Sequence, residues 1–112
     1  MTYRQHQNHA FQAENDAPQI QAFVKNYRAK YNGESPDAMA ALGYDSAMVL
    51  ADAIKRAGTT DSAALRDAIA ATKDYEGLTG KTTLNAQRDA TKPAVIITVK
   101  DGKFKYVETI SP

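Results

Sequence analysis

The chain has 112 residues, 43% of them hydrophobic and 24% charged, which suits one small globular domain and excludes a disordered chain. Its 14 basic and 13 acidic residues leave a formal net charge of +1, too small a basic excess for an extensive nucleic-acid footprint. Cysteine is absent, which excludes disulfides, thiolate zinc sites and cysteine nucleophiles.

Residues 1–15 are polar, with Tyr3 and Phe11 the only large apolar groups after Met1. Met1 to His9 lacks the apolar core of a signal peptide, so the sequence as written is not expected to be exported by the general secretory route. No run of about 18 apolar residues exists to span a membrane. A short strand, a tag or a frayed end all agree with this segment.

The first helical pattern follows Asn15-Asp16-Ala17-Pro18. Asp16 reads as its N-cap and Pro18 as a residue of its first turn. Ile20, Phe23, Val24, Tyr27 and Tyr31 recur at spacings of three and four, on one face, and Asn32-Gly33 supplies a left-handed stop. A second helix is predicted from Ser35-Pro36-Asp37, again a cap and then a proline, through Met39, Leu42, Met48, Leu50 and Ile54 to Gly58. Small residues (Ala38, Ala40, Ala41, Gly43, Ser46, Ala47) crowd its first half. They allow close backbone approach and predict that this helix is the most buried. Asp61 caps a third helix with Leu65, Ala68, Ile69 and Thr72 along one side, and Gly77 and Gly80 close that segment.

The remainder reads as β. Lys81 to Asn85 is a short strand, and Ala94 to Val99 is nearly all apolar, as a strand buried on both faces would be. Asp101-Gly102 is a strong two-residue turn signal. In that register Val99 faces Phe104, Ile97 faces Tyr106 and Lys100 faces Lys103. The predicted fold class is α/β, with three helices on a small mixed sheet that ends in a β-hairpin.

None of the candidate chemical motifs is complete. Gly80-Lys81-Thr82 lacks the glycine that a phosphate loop needs five positions earlier, where Tyr75 stands, and β sequence follows it where a helix should. His6 and His9 have no cysteine or acidic cluster to complete a metal site, so they read as two polar residues near a terminus. Asp45, Asp52, Asp61 and Asp67 have no base, nucleophile or metal in evident reach: Asp61 is a cap, and Asp52 lies beside Lys55 and Arg56 on an exposed stripe. Tyr27 and Tyr31 with Lys25, Arg28 and Lys30 suggest an RNA-binding patch. Helical spacing instead turns the tyrosines to the core and the cations to solvent. No enzyme is expected, and no cofactor or metal is implied.

Three ordered stretches carry a resemblance. The first is Phe23-Val24-Lys25-Asn26-Tyr27-Arg28-Ala29-Lys30-Tyr31. The second runs from Pro36-Asp37-Ala38-Met39 through Gly43-Tyr44-Asp45-Ser46-Ala47. The third is Tyr75-Glu76-Gly77-Leu78-Thr79-Gly80-Lys81, followed by Lys92-Pro93-Ala94-Val95-Ile96 and Lys100-Asp101-Gly102-Lys103-Phe104. Together, over residues 11–110, they are similar to the C-terminal portion of the branched-chain amino-acid-binding family of type I periplasmic binding proteins.

The resemblance implies two α/β lobes in a considerably longer parent, closing on ligand in a cleft and then docking on an ABC permease. It implies a periplasmic location for that parent. It also implies that residues 1–112 are a single incomplete domain, with 1–15 poorly defined and 16–112 a partial lobe region. The segments that hold the ligand's α-amino and α-carboxylate groups in the family are not matched here. The chain alone is therefore expected to bind amino acids weakly or not at all. Met39 matches a position that touches the ligand side chain, with ordinary helix packing as the plain alternative. Tyr44 matches a structural tyrosine. The other functional expectation is a free-standing interaction module, with a homo-oligomer as the form that would cover exposed strand edges and helix faces.

Overall fold

The computed structural model describes residues 5–9 and 11–111, with side chains for 11–103 and 105–111. Tyr3, Arg4 and the imidazoles of His6 and His9 lie outside what is described. In chain order the elements are β1 (Gln5–His9), α1 (Pro18–Lys30), α2 (Ala38–Ala57), α3 (Ser62–Ala70), β2 (Tyr75–Gly77), β3 (Gly80–Leu84), β4 (Ala90–Thr91), β5 (Ala94–Lys100) and β6 (Lys103–Ile110). Among them, no helix is long and apolar enough to cross a membrane.

Each helix has a local reason to start and stop. Pro18 opens α1, but Asp16 does not cap it. The N-cap is Ala17, whose N–H donates to Asn15 Oδ1 at 2.9 Å, so an Asx turn sets the chain's approach instead. At its end Asn32 takes φ 54° and the Gly33 N–H donates to the Arg28 carbonyl at 2.8 Å, a Schellman closure.

Helix α2 begins later than the Ser35-Pro36 pair suggested. Asp37 is its cap, accepting from the Ala40 N–H at 2.9 Å, while the Ser35 hydroxyl is taken by Arg28 Nη2 at 2.7 Å. It ends at Gly58, in the left-handed region at φ 69°. Asp61 caps α3 as expected, accepting from the Ala64 N–H at 3.3 Å.

Arg56 fastens α2 to α3. It pairs with Asp52 at 2.9 Å and donates to the Ala68 carbonyl at 2.8 Å and to Thr72 Oγ1 at 3.0 Å. Satisfying carbonyls at the C-terminal end of α3 suits a cation, which the helix dipole also favours there.

The strands make two three-stranded sheets, ordered β1-β5-β6 and β2-β3-β4, where one mixed sheet was expected. Every pairing in both is antiparallel. For β2–β3, β3–β4 and β5–β6 the short connections dictate this, since parallel neighbours need a long crossover; β1 and β5 are joined through the whole helical body. The C-terminal hairpin has the predicted register, with Val99 opposite Phe104, Ile97 opposite Tyr106 and Lys100 opposite Lys103. Farther along, Ile96 faces Glu108 while Ile97 faces Tyr106, which leaves Val107 as a bulge.

Two apolar cores result. Phe11, Ile20, Val24, Ala41 and Leu78 form the core of a helical body, whereas Val95 and Ile97 form a small separate one in the β1-β5-β6 sheet. Val95 and Ile97 are buried while Ala94, Ile96 and Thr98 on the other face are only half-buried, so β5 is covered more fully on one face than on the other. Among the described residues no helix packs extensively on that sheet. The radius of gyration is 16.0 Å, against about 13 Å for a compact chain of about 100 residues. The chain is therefore two bodies side by side.

Helix α2 has the most buried residues of the three helices, as its small residues suggested, but its large apolar groups stay open. Ala41, Asp45 and Ala53 are buried, but Met39, Tyr44, Met48 and Leu50 are exposed. It is covered by α3 and β2 along one side and by α1 near its start, where Ala41 joins Ile20 and Val24 in the core and Tyr44 meets Phe23.

Candidate functional site

The most constrained polar structure in the chain centres on Asp45. Its side chain, 3% exposed, points from α2 into the tight turn between β2 and β3. Oδ1 accepts from the Leu78 N–H at 2.8 Å, and Oδ2 accepts from the Thr79 N–H at 2.9 Å and from the Thr79 hydroxyl at 2.5 Å. Thr79 Oγ1 in turn accepts from Lys92 Nζ at 2.6 Å. A buried carboxylate is tolerated only when its lone pairs are filled, and three donors fill them here. Gly77 is required beside it, because a Cβ at that position would lie 2.6 Å from Asp45 Oδ2.

Two ionisable neighbours respond to this environment. Burial lowers the Lys92 ammonium below its ordinary value, and the Asp45 charge opposes part of that effect. Burial, then the charges of Asp45 and Asp52, raises the Tyr75 phenol. The network therefore holds α2, the β2–β3 turn and the start of the link to β5 in one arrangement. It offers no free nucleophile or open oxyanion pocket, so it is a structural hub.

Two grooves flank the hub. One, of about 690 Å³, lies between the two bodies. Glu14, Ile20 and Leu78 form one wall, with Val95, Lys105 and Tyr106 on the other. The second, of about 710 Å³, runs along α1 and α2 over Phe23, Tyr27, Tyr31 and Tyr44 beside Lys30.

The rings in the second groove form a ladder. Phe23 stacks at 5.9 Å on Tyr27 and at 5.0 Å on Tyr44, and Tyr27 lies 4.5 Å from Tyr31. Tyr27 is half-buried as the helical spacing implies, but Tyr31 stays exposed because the helix ends there and nothing covers it. Lys25, Arg28 and Lys30 face solvent.

Met39 sits in the first turn of α2 and is 66% exposed. It lines neither groove. Asp52 and Asp61 are occupied as ion-pair partner and helix cap, so the four aspartates are not brought together as a catalytic set. The hub itself was missed in the sequence. Its one local signal is that Asp45 shares a helix face with Ala38 and Ala41, two small residues that permit close approach.

A sequence model described as "Periplasmic binding protein" matches residues 7–103, most of the chain. The chain belongs to the periplasmic binding protein family. Its fold is similar to that of a leucine-binding protein from Thermotoga maritima, with a TM-score of 0.78 and 34% identity over 96% of this chain. It is similar to the branched-chain amino acid transporter substrate-binding protein of Streptococcus pneumoniae, solved with isoleucine, with a TM-score of 0.77 and 37% identity over 98%. A putative branched-chain amino acid ABC transporter protein from Rhodospirillum rubrum gives a TM-score of 0.80 and 33% identity over 92%. The chain spans 31%, 30% and 30% of those three proteins respectively. This periplasmic binding protein segment thus matches about a third of each, and its two bodies and three helices form part of the family's α/β lobes. The family is one of substrate binding for transport and is not an enzyme class.

Proposed function

We propose that this chain serves in a solute-binding protein that captures branched-chain or related amino acids in the periplasm and delivers them to an ABC permease. The observation that carries the reading is identity of 34% and 37%, over nearly the whole chain, to a leucine-binding protein and to one solved with isoleucine. Met39 is the residue placed against the ligand's side chain. A large apolar group left open at the start of α2 is more consistent with meeting a ligand or another segment than with core packing. A thioether also adapts its shape to branched aliphatic groups. One apolar contact does not hold a zwitterion, which needs donors for its carboxylate and acceptors for its ammonium. Binding by these 112 residues alone is therefore weak. A free-standing interaction module draws no support from a similarity that runs through the whole chain.

The test is a heteronuclear NMR titration of the chain with leucine, isoleucine and valine to millimolar levels, with glutamate and lysine as controls. Amides around Met39 are expected to shift progressively with the three aliphatic ligands and not with the controls. Shifts that ignore Met39, or that follow all five ligands equally, would defeat the reading.

A further inference from the structure

We propose that Lys92 is a positioning residue that fixes the angle between the two bodies of this chain. The chain passes between them twice. Strand β1 ends at His9 and Phe11 already lies in the helical core, so the first passage is short. Strand β4 ends at Thr91 and β5 begins at Ala94, so Lys92 and Pro93 are the whole of the second. Proline fixes its own φ and confines the residue before it to extended conformations. Pro93 thus narrows Lys92 without locking it, and the freedom left in this link lies in that range of Lys92 and in ψ of Pro93.

The Lys92 side chain removes much of that freedom. It turns back to the helical body and donates from Nζ to Thr79 Oγ1 at 2.6 Å. Thr79 is fully buried and is itself held by Asp45 through its N–H and its hydroxyl. One linker residue is thus tethered to the most rigid point of one body, while its C-terminal neighbours run directly into the central strand of the other. Rotating the sheet about the linker displaces the Lys92 backbone and strains the tether. The groove of about 690 Å³ has walls on both bodies, so the same tether sets how far it opens. Hinges in proteins are a few linker residues that absorb the change in backbone angle. The hydrogen bond here restrains such a residue. The inference rests on this geometry and stands whichever ligand the protein takes.

The absence of cysteine makes a distance measurement straightforward. Spin labels at Ala63→Cys on α3 and Lys103→Cys on β6 report the separation of the two bodies in the full 112-residue chain. Lys92→Met, which keeps the stem and removes the donor, is expected to broaden and shift the distance distribution. Thr79→Val is expected to do the same, and Thr79→Ser, which retains the hydroxyl, to keep the parent's narrow distribution. Amide spectra of α1 to α3 should stay dispersed in Lys92→Met. A Lys92→Met distribution that superimposes on the parent's would overturn the proposal, as would a Thr79→Ser distribution as broad as that of Thr79→Val. Collapse of the helical amides in Lys92→Met would also overturn it, by making Lys92 part of the helical core.

Discussion

Gly77 and Asp45 are packed so closely that a methyl group on Gly77 would sit 2.6 Å from Oδ2 and 2.7 Å from Cγ of the aspartate. The carboxylate has no room to retreat, because Leu78 and Thr79 hold both of its oxygens with three hydrogen bonds. Gly77 has no left-handed φ, so the demand is for space and not for backbone freedom. Gly77→Ala should destabilise the chain by about 1–3 kcal/mol, the usual range for an overpacked interior. Urea unfolding would read this as a lower midpoint at unchanged slope. An unchanged midpoint would show that the hub is looser than its distances imply.

A pH dependence follows from the two shifted neighbours of that hub. Tyr75 is raised above 10.0, first by burial and then by the charges of Asp45 and Asp52. The folded chain therefore keeps a proton that the unfolded chain loses near pH 10.0. The stability from the neutral phenol is complete below pH 10.0 and is lost as pH rises through the higher folded value. Lys92 has the opposite sign: its pKa is lowered, so the cost of burying its charge is complete at lower pH and disappears as pH approaches 10.5. Tyr75→Phe removes only the first effect. Its stability relative to the parent should rise above pH 10.0 while remaining level below it, as measured by chemical unfolding at a series of pH values. A relative stability that stays level across pH 10.0 would count against the Tyr75 shift.

Met39 offers a test that separates ligand contact from core packing. Its side chain is 66% exposed, so Met39→Ala should change stability by no more than about 0.5 kcal/mol. Ile20, buried beside Val24 and Leu78, should cost about 2–5 kcal/mol on the same truncation. Comparing the two by urea midpoint decides whether Met39 is a packing residue. A loss at Met39 approaching that at Ile20 would make it one, and would remove the ground for placing a ligand there.

The features legible in the sequence were those encoded by neighbouring residues. Asp101-Gly102 specified a turn, and the turn specified the register of every pair from Lys100–Lys103 to Ile97–Tyr106. Asp61 and Gly58 marked helix limits because capping is a matter of three or four residues. What depends on distant partners was not legible. Asp45 meets Leu78 and Thr79 across 33 and 34 positions, and nothing near it in the chain announces them. Strand β1 is polar from Gln5 to His9, so it lacks the alternation that marks a half-buried strand, and its pairing with β5 spans most of the chain. The small residues of α2 marked it as the most buried helix, but not which of its positions would be covered. Small residues permit close approach but do not say whether a neighbour arrives.

The start of α2 shows how one local ambiguity is resolved and can be tested. Ser35 and Asp37 are both good N-caps, and Pro36 between them fits the first helical position after Ser35. The helix nevertheless starts at Ala38, because Asp37 reaches the Ala40 N–H while Arg28 occupies the Ser35 hydroxyl. Asp37→Ala should therefore cost about 1 kcal/mol, the usual loss for an N-cap. Ser35→Ala loses only an exposed contact with Arg28 and should stay within about 0.5 kcal/mol. Thermal unfolding followed by circular dichroism ranks the two directly. A larger loss at Ser35 would move the helix start back to Pro36, and with it the turn on which Met39 is presented.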